Sequence, residues 1–165
     1  MRAKDLLVQK ISRVETIFHK YRLRLVRDET LSRFLSCYLE AVAASEAVAQ
    51  ETGLAAFCAR CGREGLGTCC GEDMEFHCED VLLLANLVLG VEIPSNRYRP
   101  EGCYFLGEEG CLLRVRPLIC RNFLCPELVS FLGEEKVKAI QETLGPEAEA
   151  LFRLCEYLRR LCPEI

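Results

Sequence analysis

Nine of the chain's twelve cysteines lie between Cys58 and Cys125, and their spacing is the most chemically pointed feature of the sequence. The run reads Cys58-x2-Cys61-x7-Cys69-Cys70-x7-Cys78, then, after a gap, Cys103-x7-Cys111-x8-Cys120-x4-Cys125-Pro126. A Cys-x2-Cys turn lets two thiolates converge on one ion, and later cysteines in loops and turns can complete its shell. The first ten residues carry charges through their apolar positions, so no secretory leader is expected. The expected compartment is the cytoplasm, where thiols stay reduced and dense cysteines point to metal ligation rather than a disulfide framework. Spacing alone does not name the metal.

With the residues around them, these cysteines resemble a known family. Cys58-Ala-Arg-Cys61, Cys69-Cys70, Cys103-Tyr-Phe-Leu, Cys111-Leu-Leu and Arg116-Pro-Leu-Ile-Cys120-Arg-Asn-Phe-Leu-Cys125 look like the YkgJ-like cysteine-cluster proteins, a family described as zinc- or iron-chelating. The resemblance spans Cys58 to Cys125 and leaves both helical ends outside it. The family has a shorter spacer before the Cys-Cys pair than the seven residues, Gly62 to Thr68, found here. The resemblance implies metal chelation and a loose relation to flagellin lysine methylases, which carry a similar cysteine-rich region. It also implies the ligand set Cys58, Cys61, Cys69, Cys70, Cys103, Cys111, Cys120 and Cys125. Eight thiols exceed one tetrahedral site. Adjacent residues rarely turn both side chains onto one ion, so Cys69 and Cys70 serve different sites or one of them packs in the core.

Arg114, Arg116 and Arg121 bracket Cys120, where positive charge offsets a thiolate cluster and favours deprotonation. Arg116 and Arg121 are the candidate cofactor-contacting residues. The alternative is that these arginines pair with Glu108, Glu109 or Glu127. Cys125 gains similar help from a helix beginning at Pro126. Cys78 and His77 fall outside the matched pattern, His77 reading as a polar residue before a helix. Cys37, Cys155 and Cys162 sit on helical segments and are expected in the core. Four-cysteine zinc sites are commonly built from two close pairs, and this chain has one; Cys125-Pro126 also echoes ferredoxin-type ligation. The balance tips toward an iron–sulfur cluster, with Zn2+ the other cofactor.

No nucleophile–base pair, phosphate-binding glycine loop or His-Glu metalloprotease motif is present, so whether the chain is an enzyme stays open. A structural or partner-binding module ranks first, with the helical ends engaging a protein partner. The alternative is a metal-dependent enzyme or redox component, related through the resemblance to protein lysine methylation.

The elements that must position these cysteines are mostly helices. Leu7, Ile11, Val14, Phe18, Tyr21 and Leu25 form one amphipathic seam, and Leu31, Leu35, Tyr38, Val42, Ser45 and Ala49 form a second. Asp28 or Thr30 would cap the second helix and Gly53 end it, giving a helical hairpin over residues 1–53. From Cys58 to about Glu75 the Gly- and Cys-rich composition predicts a loop. Glu79 to Leu89 reads as a buried helix. Two short apolar runs around Gly107-Glu-Glu-Gly110 read as a small β-hairpin with one cysteine per arm. Helical segments are expected after Pro117, over Pro126 to Leu132, over Glu134 to Leu144 and over Glu147 to Leu161, with Gly145-Pro146 as a stop. The fold class is thus mainly α: a helical hairpin plus C-terminal helices around an irregular cysteine-rich metal-binding centre. At 165 residues one domain is expected, divided into residues 1–53, 54–126 and 127–165. A net charge of −4 with interleaved signs argues against a nucleic-acid binder, and no apolar run approaches the ~20 residues of a membrane span.

Overall fold

The two seams become two long helices, α1 over Ala3–Arg27 and α2 over Glu29–Thr52, in a computed structural model that describes residues 3–64 and 70–165. Cys69, with the run from Gly65 to Thr68, lies outside the described residues. Asp28 alone separates the helices. Its backbone is extended and its carboxylate accepts the Leu31 N–H at 2.7 Å, capping α2. At the other end Gly53 adopts φ 88°, the left-handed conformation that only glycine takes without strain, and returns its N–H to the Gln50 carbonyl.

Helix α3, Leu54–Glu64, follows at once; a 3-10 turn, Met74–His77, leads into α4, Asp80–Val88. Strands β1, Leu106–Gly107, and β2, Gly110–Cys111, pair antiparallel with Leu106 opposite Cys111. Three helices complete the described chain: α5 over Leu118–Asn122, α6 over Pro126–Leu132 and α7 over Glu134–Leu161. The architecture is mainly helical with one small antiparallel sheet. No helix among the described residues is long and apolar enough to cross a membrane.

Helices α1 and α2 are separate, as their seams predict, but they do not close into the expected hairpin. One non-helical residue is shorter than the roughly two to five that reverse a helix pair. Instead α1 packs on α4, and α2 runs antiparallel to α7. The latter pairing is fixed by Tyr157 donating to the Asp28 carboxylate at 3.1 Å and by Lys136 reaching the Thr52 carbonyl at 3.3 Å. The main core joins Leu7, Ile11, Val14, Ile17 and Leu25 of α1 to Leu31, Leu35, Tyr38 and Val42 of α2, to α4 and to the α7 face carrying Leu151, Leu154, Cys155, Leu158 and Leu161. A smaller cluster joins α3, α6 and the start of α7 through Leu54, Phe57, Leu128, Leu132 and Ile140.

Three further expectations are corrected. Cys58 and Cys61 stand on α3 and not in a loop, because Leu54 and Phe57 bury against α6, with the Phe57 and Phe131 rings 5.2 Å apart. The unpaired carbonyls at the end of α3 are taken by Arg99, whose guanidinium donates to Gly62 at 2.7 Å and Arg63 at 2.8 Å. Helix α7 runs through Gly145-Pro146 without stopping. Pro146 is exposed, so water can solvate the carbonyl its ring leaves unpaired, and the next residue, Glu147, is anchored in the interior. Cys37 is exposed, one position off the Leu35–Tyr38 seam, whereas Cys155 and Cys162 are buried as expected.

Asn86 ties this scaffold to the cysteine-bearing segments. Fully buried on α4, it accepts the Arg114 and Val115 N–H groups at 2.8 and 3.0 Å and donates to the Val115 and Leu82 carbonyls at 2.8 Å. All four of its hydrogen-bonding valences are used. Asn86→Leu leaves the Val115 N–H and C=O buried without partners, so a loss of at least about 2 kcal/mol is expected in urea unfolding. A change below about 0.5 kcal/mol would contradict this role.

Candidate metal centre

Two of the cysteines, Cys70 and Cys103, are brought together by backbone pairing. Gly71 bridges Gly102 antiparallel, with the Glu72 N–H donating to the Glu101 carbonyl at 2.9 Å and the Cys103 N–H donating to the Cys70 carbonyl at 2.7 Å. That bridge brings Cys70 and Cys103 together across the two segments, joined by the one bond from the Cys103 N–H to the Cys70 carbonyl. The chain then turns, the Leu106 N–H meeting the Cys103 carbonyl at 3.0 Å, and enters the hairpin that carries Cys111. Gly110, at φ 122°, makes the tight return possible.

Cys120 arrives from the other side. The Val115 segment is held by Asn86, and Tyr38 reinforces it, its hydroxyl accepting the Arg116 N–H and donating to the Arg114 carbonyl, both at 3.4 Å. Pro117 then opens α5, on which Cys120 lies half-buried. The Cys111 and Cys120 thiols fall within electrostatic reach of Cys103, and all three fall within reach of Cys78. Burial, chiefly, pushes the Cys103 thiol up to about 12; the Phe105 N–H against its sulfur opposes this, while Glu75, Cys111 and Cys120 add to it. Burial also raises the Cys78 thiol, with Lys10 opposing and Cys111, Cys120 and Cys103 adding. Both are neutral thiols at ordinary pH.

One wall of the site is a buried ion pair. Glu75 is 1% exposed and pairs with Arg97, which also donates to the Gly102 carbonyl; the other Glu75 oxygen accepts the Tyr104 N–H at 3.3 Å. These bonds hold the 3-10 turn against the segment Gly102 to Tyr104.

The arginines around Cys120 are committed to carboxylates from other helices. Arg121 forks onto Glu147 at 2.7 and 2.9 Å and donates to the Ser45 hydroxyl at 2.8 Å. Arg116 reaches Glu46 at 3.6 Å and the Leu113 carbonyl at 3.0 Å. Their partners are therefore Glu147 and Glu46, and not the Glu108, Glu109 or Glu127 that proximity in sequence suggests.

No protein-family model matches this chain, and neither does any curated protein or solved structure. The site must be judged on its own residues. Of the expected ligands, Cys70 and Cys103 lie on bridged segments, and Cys111 on the hairpin and Cys120 on α5 act electrostatically on Cys103. Cys58 is exposed and Cys61 half-buried on α3; Cys125 is the N-cap residue of α6 and packs on the smaller core. Among the described residues no group of three or more His, Cys, Asp or Glu side chains is gathered tightly enough to hold a metal ion as it stands. Cys78, outside the expected set, is buried, its sulfur lying 4.0 Å from the Glu79 carbonyl. His77 beside it is exposed, in line with a plain polar residue.

Proposed function

We propose that the chain holds an iron–sulfur cluster or zinc through thiolates that include Cys70, Cys103, Cys111 and Cys120, as a structural module tying the irregular middle of the chain to its helices. The observation that supports this is the backbone bond that joins Cys70 to Cys103 beside the Gly71–Gly102 bridge, with Cys111 and Cys120 acting electrostatically on Cys103. A donor set of soft sulfurs suits zinc and iron–sulfur clusters and does not suit magnesium or calcium. Binding would draw the sulfurs inward and release their protons, the cation offsetting the cost of ionising buried thiols. The Phe105 N–H against the Cys103 sulfur favours the ionised form, the kind of support that tunes thiolate ligands. Bound zinc would supply a redox-inert crosslink, and an iron–sulfur cluster one-electron chemistry. Cys58, Cys61, Cys69 and Cys125 enter the proposal through the resemblance to YkgJ-like proteins.

Metal analysis and visible absorption of the anaerobically purified full chain test this. At least one zinc per chain, or iron with sulfide and broad visible absorption, is the expected result. Cys103→Ser, Cys111→Ser and Cys120→Ser should each lose most of the metal, while Cys37→Ser on the exposed face of α2 should keep it. Full metal content in all three central variants would refute the proposal.

A further inference from the structure

The two ends of the α2–α7 pair carry opposite charge beside exposed apolar side chains. At the end marked by the Tyr157–Asp28 bond, α1 presents Arg22, Leu23, Val26 and Arg27 on the face it does not bury. Leu23 is 71% exposed, more than any other large apolar side chain among the described residues, and Val26 is 65% exposed. Other basic groups of α1 are spent within the chain, Lys20 on Glu164 and Arg24 on the Leu161 carbonyl. Arg22 and Arg27 have no carboxylate partner among the described residues, and neither has Arg160 in the last turn of α7. The carboxylates at this end are engaged as well: Asp28 by Tyr157 and the Leu31 N–H, Glu164 by Lys20 and Tyr21, Glu29 by Arg33 and Glu156 by Arg159.

The opposite end, where Lys136 reaches Thr52, is acidic. There α6 and the start of α7 expose Glu127, Val129, Phe131, Glu134 and Glu135, with Phe131 60% exposed. The Phe131 ring borders the end of α2, where a β-carbon on Gly53 would lie 3.6 Å from it. None of the three glutamates has a cationic partner among the described residues, Lys136 being turned to Thr52 and Arg60 lying over the Phe57 ring. Acids at a helix start and arginines at a helix end complement the helix dipole, which accounts for the signs of charge. It does not account for the apolar side chains left in water between them. The two surfaces are separated by the length of α2, 24 residues or about 36 Å. One chain therefore cannot bring them together, but two copies can.

We propose that the chain self-associates head to tail, Leu23 and Val26 of one copy packing on Phe131 and Val129 of the next while Arg22 and Arg27 face its Glu127, Glu134 and Glu135. The two surfaces differ, so the contact is heterologous and builds short chains or rings. Complementary charge sets the direction of approach and burial of the apolar side chains supplies cohesion. Exposed ion pairs contribute little each, so the association is weak and salt-sensitive. The contact involves no cysteine, and its failure would leave the metal-centre proposal untouched.

Sedimentation of the full chain, kept reduced so that disulfides between copies cannot mimic the contact, tests this. At about 0.02 M salt the weight-average mass should rise with concentration beyond that of one chain, and about 0.5 M salt should weaken the association at least about tenfold. The Arg22→Glu, Arg27→Glu variant and the Glu134→Arg, Glu135→Arg variant should each stay monomeric alone, because each carries like charge at both ends. Mixed in equal amounts they should associate, since each supplies the end that the other has lost. A wild-type chain that stays monomeric at low salt overturns the proposal. So do folded variants that fail to associate on mixing, or that self-associate as the wild type does. Wild-type monomer that binds vesicles of phosphatidylserine and phosphatidylcholine without self-associating assigns the α1 ridge to a lipid surface and overturns it equally. Should either variant fail to fold, the wild-type concentration and salt series still decides.

Discussion

Replacing Glu147 with alanine is expected to destabilise the protein by about 3–5 kcal/mol, the largest loss anticipated for any single side chain. Glu147 is 0% exposed, and its two oxygens are occupied by the Arg121 fork and the Ser45 hydroxyl. Removing it strands a guanidinium whose side chain is only 12% exposed, with Glu46 at 3.9 Å as its remaining carboxylate. The cost is that of an orphaned charge, so it should nearly vanish when both partners are removed. The Arg121→Met, Glu147→Leu double variant is expected within about 1 kcal/mol of the parent, or above it, because buried pairs replaced by apolar residues are often neutral or stabilising. Urea unfolding of the two single variants and the double variant gives the coupling directly. A Glu147→Ala loss below about 1 kcal/mol would show that the pair does not hold α5 to α7. Arg121 directly follows Cys120, so that loss should also reach the cysteine centre.

The helices were legible because burial imposes a period. Leu7, Ile11, Val14 and Leu25, and Leu31, Leu35, Tyr38 and Val42, are buried on the seams their spacing marks, and Pro126 begins α6 as its fixed backbone angle requires. What the sequence could not convey was which seam meets which. Asp28 reads as a cap in both a hairpin and a splayed pair, and the choice depends on α4 and α7, which lie far along the chain. Helix α3 was hidden because its Gly and Cys content looks like loop while only Leu54 and Phe57 reveal a buried side. Gly145-Pro146 is a stop signal by local chemistry, yet long-range anchoring of Glu147 by Arg121 and Ser45 overrides it. That network joins residues 76 and 26 positions apart in sequence, and no local pattern announces it. The cysteine spacing did locate the region where the strands, hairpin and α5 meet. It did not show that Cys58 stands on a helix while Cys70 and Cys103 are joined beside the Gly71–Gly102 bridge, because that bridge pairs segments about thirty residues apart.

If the chain holds the proposed metal, chelation is expected to loosen residues 70–78 and 101–122 selectively and leave α1, α2, α4 and α7 largely intact. The apolar packing of α1 on α4 and of α2 on α7 does not depend on sulfur. Outside α4 and α5 the intervening segments carry little regular structure: a four-residue 3-10 turn, an isolated bridge and two strands of two residues each among the described residues. Elements so short are marginal alone, and regions poor in buried contacts and protected backbone bonds open first. A thiolate-bound metal would crosslink them, and much of its binding free energy would appear as order in this region. Hydrogen exchange should resolve the contrast amide by amide. Glu72, Cys103, Leu106 and Leu112, whose N–H groups donate to Glu101, Cys70, Cys103 and Phe105, report on the centre. Their protection should fall by roughly a hundredfold or more on chelation, equivalent to about 2.7 kcal/mol or more of local stability. Amides of α2 and α7 facing the main core should change by less than about threefold. The same order is expected on acidification, since protons compete with metal for the thiolates. Equal protection across residues 70–78 and 101–122 with and without metal would refute the structural role; uniform loss across α2 and α7 as well would mean that the proposed centre holds the whole fold and not its middle alone.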